Sequence, residues 1–215
     1  PIGYAPHAIT KLATEYNAGI IVMGTRGHGL FHTGFSGSVS SDVVRLSPVP
    51  VLLVPQPLST TAESGETACS RLLASVLVPV DLAAGAERVC ELSCGLIRTG
   101  AERGEIVHAV ALSFEAVREG REERARELLD QYAATARASG ASEVVTTIVR
   151  GRPDEEVARF AASGRYTLVV LAPGCHDTID QAFGSVTSSV IRESRTPVLL
   201  APPGCDTTFY ARGKT

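Results

Sequence analysis

One nineteen-residue segment occurs twice in this chain. Gly37 to Pro55 reads GSVSSDVVRLSPVPVLLVP, Gly184 to Pro202 reads GSVTSSVIRESRTPVLLAP, and twelve of the nineteen positions are identical without a gap. The same offset of 147 residues brings Pro6 onto Pro153 and, after a slip of one, Ile20 to Met23 onto Leu168 to Leu171. A chain that repeats itself over such a span must build the same unit twice, and the offset makes that unit about a domain long.

The second copy carries the fuller pattern. Strands are expected over 75–80, 105–112, 143–149, 167–171 and 197–201, with helices over 86–99, 116–139, 154–163 and 185–194. Short β-branched runs alternating with helical segments imply βαβ crossovers, hence an open parallel five-stranded sheet with helices on both faces. Pro153 followed by Asp154, Glu155 and Glu156 has the composition of a helix start, because a missing N–H costs nothing there and acids favour the dipole. The first copy holds only the later part: helix 6–16, strand 19–23, a glycine loop, helix 38–46 and strand 49–54. The expected organisation is therefore a C-terminal half domain over 1–57, a linker over 58–73, a complete domain over 74–203 and a tail over 204–215. The stretch from Gln56 to Ser70, rich in Pro, Ser, Thr and Gly, has linker composition.

Composition narrows the function classes. With 215 residues, 44% hydrophobic and 20% charged, the chain can bury a core, and no apolar run reaches the roughly 18 residues of a membrane helix. A net charge of −3 without blocks of like charge leaves no footprint for nucleic acid or an anionic membrane surface. The five cysteines, Cys69, Cys90, Cys94, Cys175 and Cys205, are odd in number and form no CxxC or metal-type spacing, which points to a reducing, cytoplasmic setting. Cys90 and Cys94, four apart on a helix, read as buried thiols with a metal half-site as the alternative. No secretory signal precedes the first helix, and with no Met at the start Pro1 is expected to be an internal position of a longer chain.

The glycine loop of the first copy is the strongest chemical signal. Gly24-Thr25-Arg26-Gly27, nine residues, then Gly37-Ser38 follows an apolar strand and opens a helix. Glycine lets backbone approach a phosphate without a Cβ in the way, and the unpaired N–H groups of Ser38, Val39 and Ser40 at the helix start would donate to its oxygens. Glycines that merely shape a surface loop are the simpler reading of the same residues. Arg26 offers a fork of donors for phosphate; His28, His32 and His176 lie in the two glycine loops without a stronger indication.

The spacing Gly-x2-Gly-x9-Gly-Ser resembles the fingerprint of the universal stress protein family. So do the strand before it, the PVLLVP strand after it, and, in the second copy, VLVPVDLA over 76–83 and Val107-His108-Ala109. The resemblance covers nearly the whole chain apart from linker and tail. It implies a Rossmann-like fold of the adenine nucleotide alpha hydrolase type in tandem copies, with ATP, and Mg2+ along with it, bound by the two ends of one domain. Carried over residue by residue, the phosphate side of the first copy would be Met23, Gly24, Arg26, Gly27, Gly37, Ser38, Val39 and Ser40, but the strands that supply its base side are absent. In the second copy Pro79, Val80, Asp81 and Ala109 stand where the family contacts adenine. Its loop keeps Gly174, Gly184, Ser185, Val186 and Thr187, yet Ala172 and Pro173 replace the first glycine in a loop one residue shorter. Alanine resists positive φ and proline removes an amide, so which copy holds nucleotide stays open.

No nucleophile, base and orienting acid converge by a recognisable spacing, so no catalytic residue is assigned and any ATP hydrolysis would be slow. Gly213-Lys214-Thr215 lacks the upstream glycine and following helix of a P-loop, and the charged stretch 115–130 reads as a solvated helix face. The leading expectation is an adenine-nucleotide-binding regulatory protein of the stress response with an unnamed protein partner. The alternatives are a nucleotide-free dimerisation module and the cytoplasmic regulatory part of a membrane transporter. In the resembling family the last strand pairs domains, so contact is expected between Val51 to Val54 and Val198 to Ala201, within a tandem pseudo-dimer or between chains of a homodimer.

Overall fold

The computed structural model describes residues 4–25, 38–55, 70–80, 86–100, 105–112, 115, 117, 119–173 and 183–207. The first segment comprises α1 (Ala5–Glu15), β1 (Ile21–Gly24), α2 (Ser38–Leu46) and β2 (Val51–Val54). The second comprises β3 (Ser75–Pro79), α3 (Ala86–Gly100), β4 (Glu105–Leu112), α4 (Arg121–Ala138), β5 (Glu143–Arg150), α5 (Pro153–Ala161), β6 (Leu168–Leu171), α6 (Ser185–Glu193) and β7 (Val198–Leu200).

All seven strands join one sheet in the order β1-β2-β7-β6-β3-β4-β5. β3 to β7 are mutually parallel, as alternating strands and helices require. The repeat reappears in the register: Ile21, Val22 and Met23 face Val51, Leu52 and Leu53, and Val169, Val170 and Leu171 face Val198, Leu199 and Leu200. The two segments meet through the PVLL strands. β2 runs antiparallel to β7, with Val51, Leu52 and Leu53 opposite Leu200, Leu199 and Val198. The contact expected between the two PVLL strands is thus made inside the chain, and the sheet is one mixed seven-stranded layer rather than an isolated five-stranded one.

Helices cover both faces. On one, α3 and α4 pack Val89, Leu92, Cys94, Ala125 and Leu129 against Val76, Val78, Leu168 and Val170. On the other, α1, α2, α5 and α6 share a single cluster that includes Ala13, Val43, Val44, Val157, Val190 and the strand residues Val51, Leu53, Leu77, Val169 and Leu200. This second cluster crosses the β2–β7 junction. Thr167 fastens the start of β3 to β6: its Oγ1 accepts from the Ser75 N–H at 2.9 Å and lies 2.9 Å from the carbonyl oxygens of Leu72 and Ser75.

Two sequence expectations shift. The helix expected over 116–139 begins at Arg121, because Gly120 adopts φ 73°, a left-handed conformation that ends one turn before another helix starts. The residues read as linker and tail are partly packed: Leu72 and Leu73 lie against the α3 face, and Cys205 is buried there. The Asp206 N–H donates to the Pro48 carbonyl at 2.8 Å and Thr207 Oγ1 to Glu91 at 3.4 Å. A chain leaving β7 therefore straps α3 to the segment entering β2.

Candidate functional site

The chain runs from β3 outward to β4 and β5, then returns to the other side of β3 through β6 and β7. Between β3 and β6 the winding reverses, and open α/β sheets bind ligands at the carboxyl ends of the strands at such a switch point. The register makes a step there. β3 ends at Pro79 beside Ala109, whereas β4 and β5 continue together through Leu112 and Arg150. The last three residues of β4 thus stand as a wall above the end of β3.

α6 follows β6, the strand on the other side of β3 from β4. Gly184 is its N-cap in extended conformation, with φ −61° and ψ 164° and no side-chain cap. The first intrahelical bond runs from the Ser188 N–H to the Gly184 carbonyl at 3.0 Å, so the N–H groups of Ser185, Val186 and Thr187 have no acceptor within the helix. Ser185 is exposed, Val186 half-buried, and Thr187 only 2% exposed. The sequence-expected base-side residues Pro79 and Val80 are buried at the end of β3, and Ala109 is their neighbour on β4. Asp81 and Gly174 lie outside the described residues. Pro173, buried after β6, has no N–H to offer, and Ala172 beside it is half-buried.

In the first segment Met23 is half-buried against the α1/α2 cluster, and Gly24 closes β1 opposite Val54. The Thr25 N–H then donates to the Val54 carbonyl at 3.0 Å. α2 opens at Ser38, with Val39 38% exposed and Ser40 buried. Arg26, Gly27 and Gly37 lie outside the described residues, as do His28, His32 and His176. Among the described residues β1 pairs only with β2, so no counterpart of β3 flanks it. Because β2 is antiparallel to β7, the carboxyl end of β1 faces the opposite edge of the sheet from that of β3 and β6. The described residues Pro79, Val80 and Ala109 therefore lie at the opposite end of the strands from Met23 and Gly24.

Cys90 and Cys94 sit on the buried face of α3, and burial pushes both thiols above their ordinary pKa. Among the described residues no three His, Cys, Asp or Glu side chains gather as metal ligands, and no helix is long and apolar enough to cross a membrane. Sequence reasoning missed the strap through Cys205 and Thr207. The only signal for it is a cysteine four residues beyond an apolar strand, too little to distinguish burial from exposure.

The profile of the universal stress protein family matches residues 2–55 and 74–202. A universal stress protein of Synechocystis sp. is 51% identical over 53 residues, 25% of this chain and 34% of that protein, so the chain spans about a third of that relative. A putative universal stress protein from Pseudomonas aeruginosa shares the fold at TM-score 0.64 and 16% identity, over 98% of this chain and 72% of that one. A universal stress protein from Archaeoglobus fulgidus does so at TM-score 0.58 and 24% identity, over 92% of this chain and 64% of that one. With both profile segments on one doubly wound sheet, the chain belongs to the universal stress protein family.

Proposed function

We propose that this chain is an adenine-nucleotide-binding regulatory protein of the stress response, and that its second segment carries the nucleotide site. The observation that carries this reading is the step at the switch point, where β4 runs past the end of β3, together with the uncapped start of α6, the helix that follows β6 on the other side of β3. The donor set fits an anionic, planar ligand. Backbone N–H groups of Ser185, Val186 and Thr187 would hold phosphate oxygens, aided by the helix dipole, and Pro79, Val80 and Ala109 would seat the base. ATP with Mg2+ is the ligand expected there, and Asp81 would meet the adenine. Gly174 would lie on the phosphate side. In the first segment Met23, Gly24, Arg26, Gly27, Gly37, Ser38, Val39 and Ser40 form a phosphate half without a base half.

The organisation proposed with it is the C-terminal half of one domain followed by a complete one, joined as a pseudo-dimer by the β2–β7 pairing. The repeated register of β1–β2 and β6–β7 supports this. Bound nucleotide would order the loop before α6 and so change the surface offered to a partner protein. Cys90, Cys94 and Cys205, free and buried among the described residues, accord with a reducing cytoplasm. A second reading, a nucleotide-free interaction module, draws on Pro173, whose missing N–H removes one phosphate donor from the second loop.

Released nucleotide decides between them. The chain is purified without added nucleotide, denatured, and its ATP, ADP and AMP measured by anion exchange; absence of Trp keeps the 260 nm signal clear. Close to one adenine nucleotide per chain, lost in Asp81→Ala and retained in Gly37→Val, is the expected result. None released, and none bound at millimolar Mg-ATP, would sink the nucleotide reading and leave the interaction module.

A further inference from the structure

The PVLL strands are already paired with each other, so a second copy of this chain must find another edge. Two remain among the described residues: β1, four residues long, and β5, eight residues long without proline, lysine or glycine. Proteins blunt exposed edges by keeping them short or interrupting them, and β5 has neither protection. Arg137 donates to the Val144 carbonyl at 3.4 Å from α4. This marks Val144, and by the strand period Thr146, Ile148 and Arg150, as the residues whose backbone groups point off the edge.

Alongside β5 runs a groove of about 390 Å3, lined on α4 by Glu122, Arg126, Leu129 and Asp130 and on β5 by Thr146, Thr147, Ile148 and Arg150. Its charge is unevenly spread. Arg126 and Arg150 both pair with the single carboxylate of Glu122, at 2.7 and 2.8 Å, leaving one positive charge in excess at that end. One helical turn further on, Asp130 has no ion-pair partner among the described residues.

We infer that β5 and the adjoining face of α4 form a twofold interface with a second copy of this chain, its β5 strands antiparallel and Arg126 of each copy paired with Asp130 of the other. A twofold axis normal to the sheet near Thr147 sets Thr147 against Thr147, Val145 against Val149 and Thr146 against Ile148. These are β-branched cross-strand pairs of the favourable kind. The same axis places the two α4 helices antiparallel on one face. Strands about 4.8 Å apart, each with its helix set slightly inward, put the helix axes roughly 10 Å apart, the spacing of packed helices. Four residues separate Arg126 from Asp130, so the rotation brings each surplus guanidinium to the other copy's unpaired carboxylate. A partner N–H replaces Arg137 at the Val144 carbonyl. The sheet becomes continuous through fourteen strands, with the proposed nucleotide sites untouched.

Sedimentation equilibrium on the full chain between about 1 and 200 μM is the test. The parent is expected to dimerise, Arg126→Asp and Asp130→Arg each to weaken association at least tenfold, and the double exchange Arg126→Asp/Asp130→Arg to restore it. Thr147→Cys should form a disulfide-linked dimer under mild oxidation where the parent does not. Far-UV circular dichroism on each variant checks that the fold survives. A monomer at 200 μM with no Thr147→Cys cross-link would overturn the interface, and so would a dimer indifferent to both charge reversals. Neither result bears on nucleotide release.

Discussion

Cys205 shows how a single residue in an apparent tail can be committed to the core. Burial pushes its thiol up to about 11 from an ordinary 9.0, against the opposing pull of Arg88 nearby. The unfolded chain ionises this thiol near pH 9 while the folded chain keeps it neutral. Its contribution to stability is therefore complete below pH 9 and disappears as pH rises through 11, a loss on the order of 2 kcal/mol. Urea midpoints measured from pH 8 to 11 should fall more steeply for the parent than for Cys205→Ala. Parallel curves would mean that the strap is open and the thiol solvated.

At the scale of elements, the repeat provides its own control. Val22 on β1 and Val170 on β6 occupy the same place in the repeat and the same register against their PVLL strands, yet Val22 is 61% exposed and Val170 0%. The difference is the neighbourhood: β6 is flanked by β3 and roofed by α3, and β1 has neither beside it among the described residues. Val170→Ala should cost about 2 kcal/mol, since it removes buried methyl groups and leaves a void. Val22→Ala should stay within about 0.5 kcal/mol. Chemical denaturation of both variants checks this, and equal losses would place a cover over β1 in solution.

Taken whole, the molecule has no seam in its α1/α2/α5/α6 core, where Val51 and Leu53 of the first segment pack with Leu77, Val169 and Leu200 of the second. One shared core and three paired positions across β2–β7 make the β1–β2 pair dependent on the rest of the sheet. Unfolding in urea followed by far-UV circular dichroism and by tyrosine fluorescence should give coincident transitions, and amides of β2 and β7 should exchange together. A separate early transition for residues 4–55 would show that the first segment stands apart.

Much of this was legible from residues alone. Alternating β-branched runs and helical stretches, punctuated by Gly and Pro, determined the doubly wound unit, because strand and helix periodicities are local properties of the chain. The repeat determined that β1–β2 and β6–β7 share one register, and the glycine spacing led to the family. Locally unreadable features were those set by contacts distant in sequence: the break at Gly120, invisible inside a charged helical run, and the burial of Cys205. The tertiary structure alone decided that the two PVLL strands pair antiparallel, which sends the carboxyl ends of β1 and β6 to opposite edges of the sheet. Met23 and Gly24 are thereby kept away from Pro79, Val80 and Ala109, because strand direction, unlike strand propensity, is fixed only when the sheet closes around a common core.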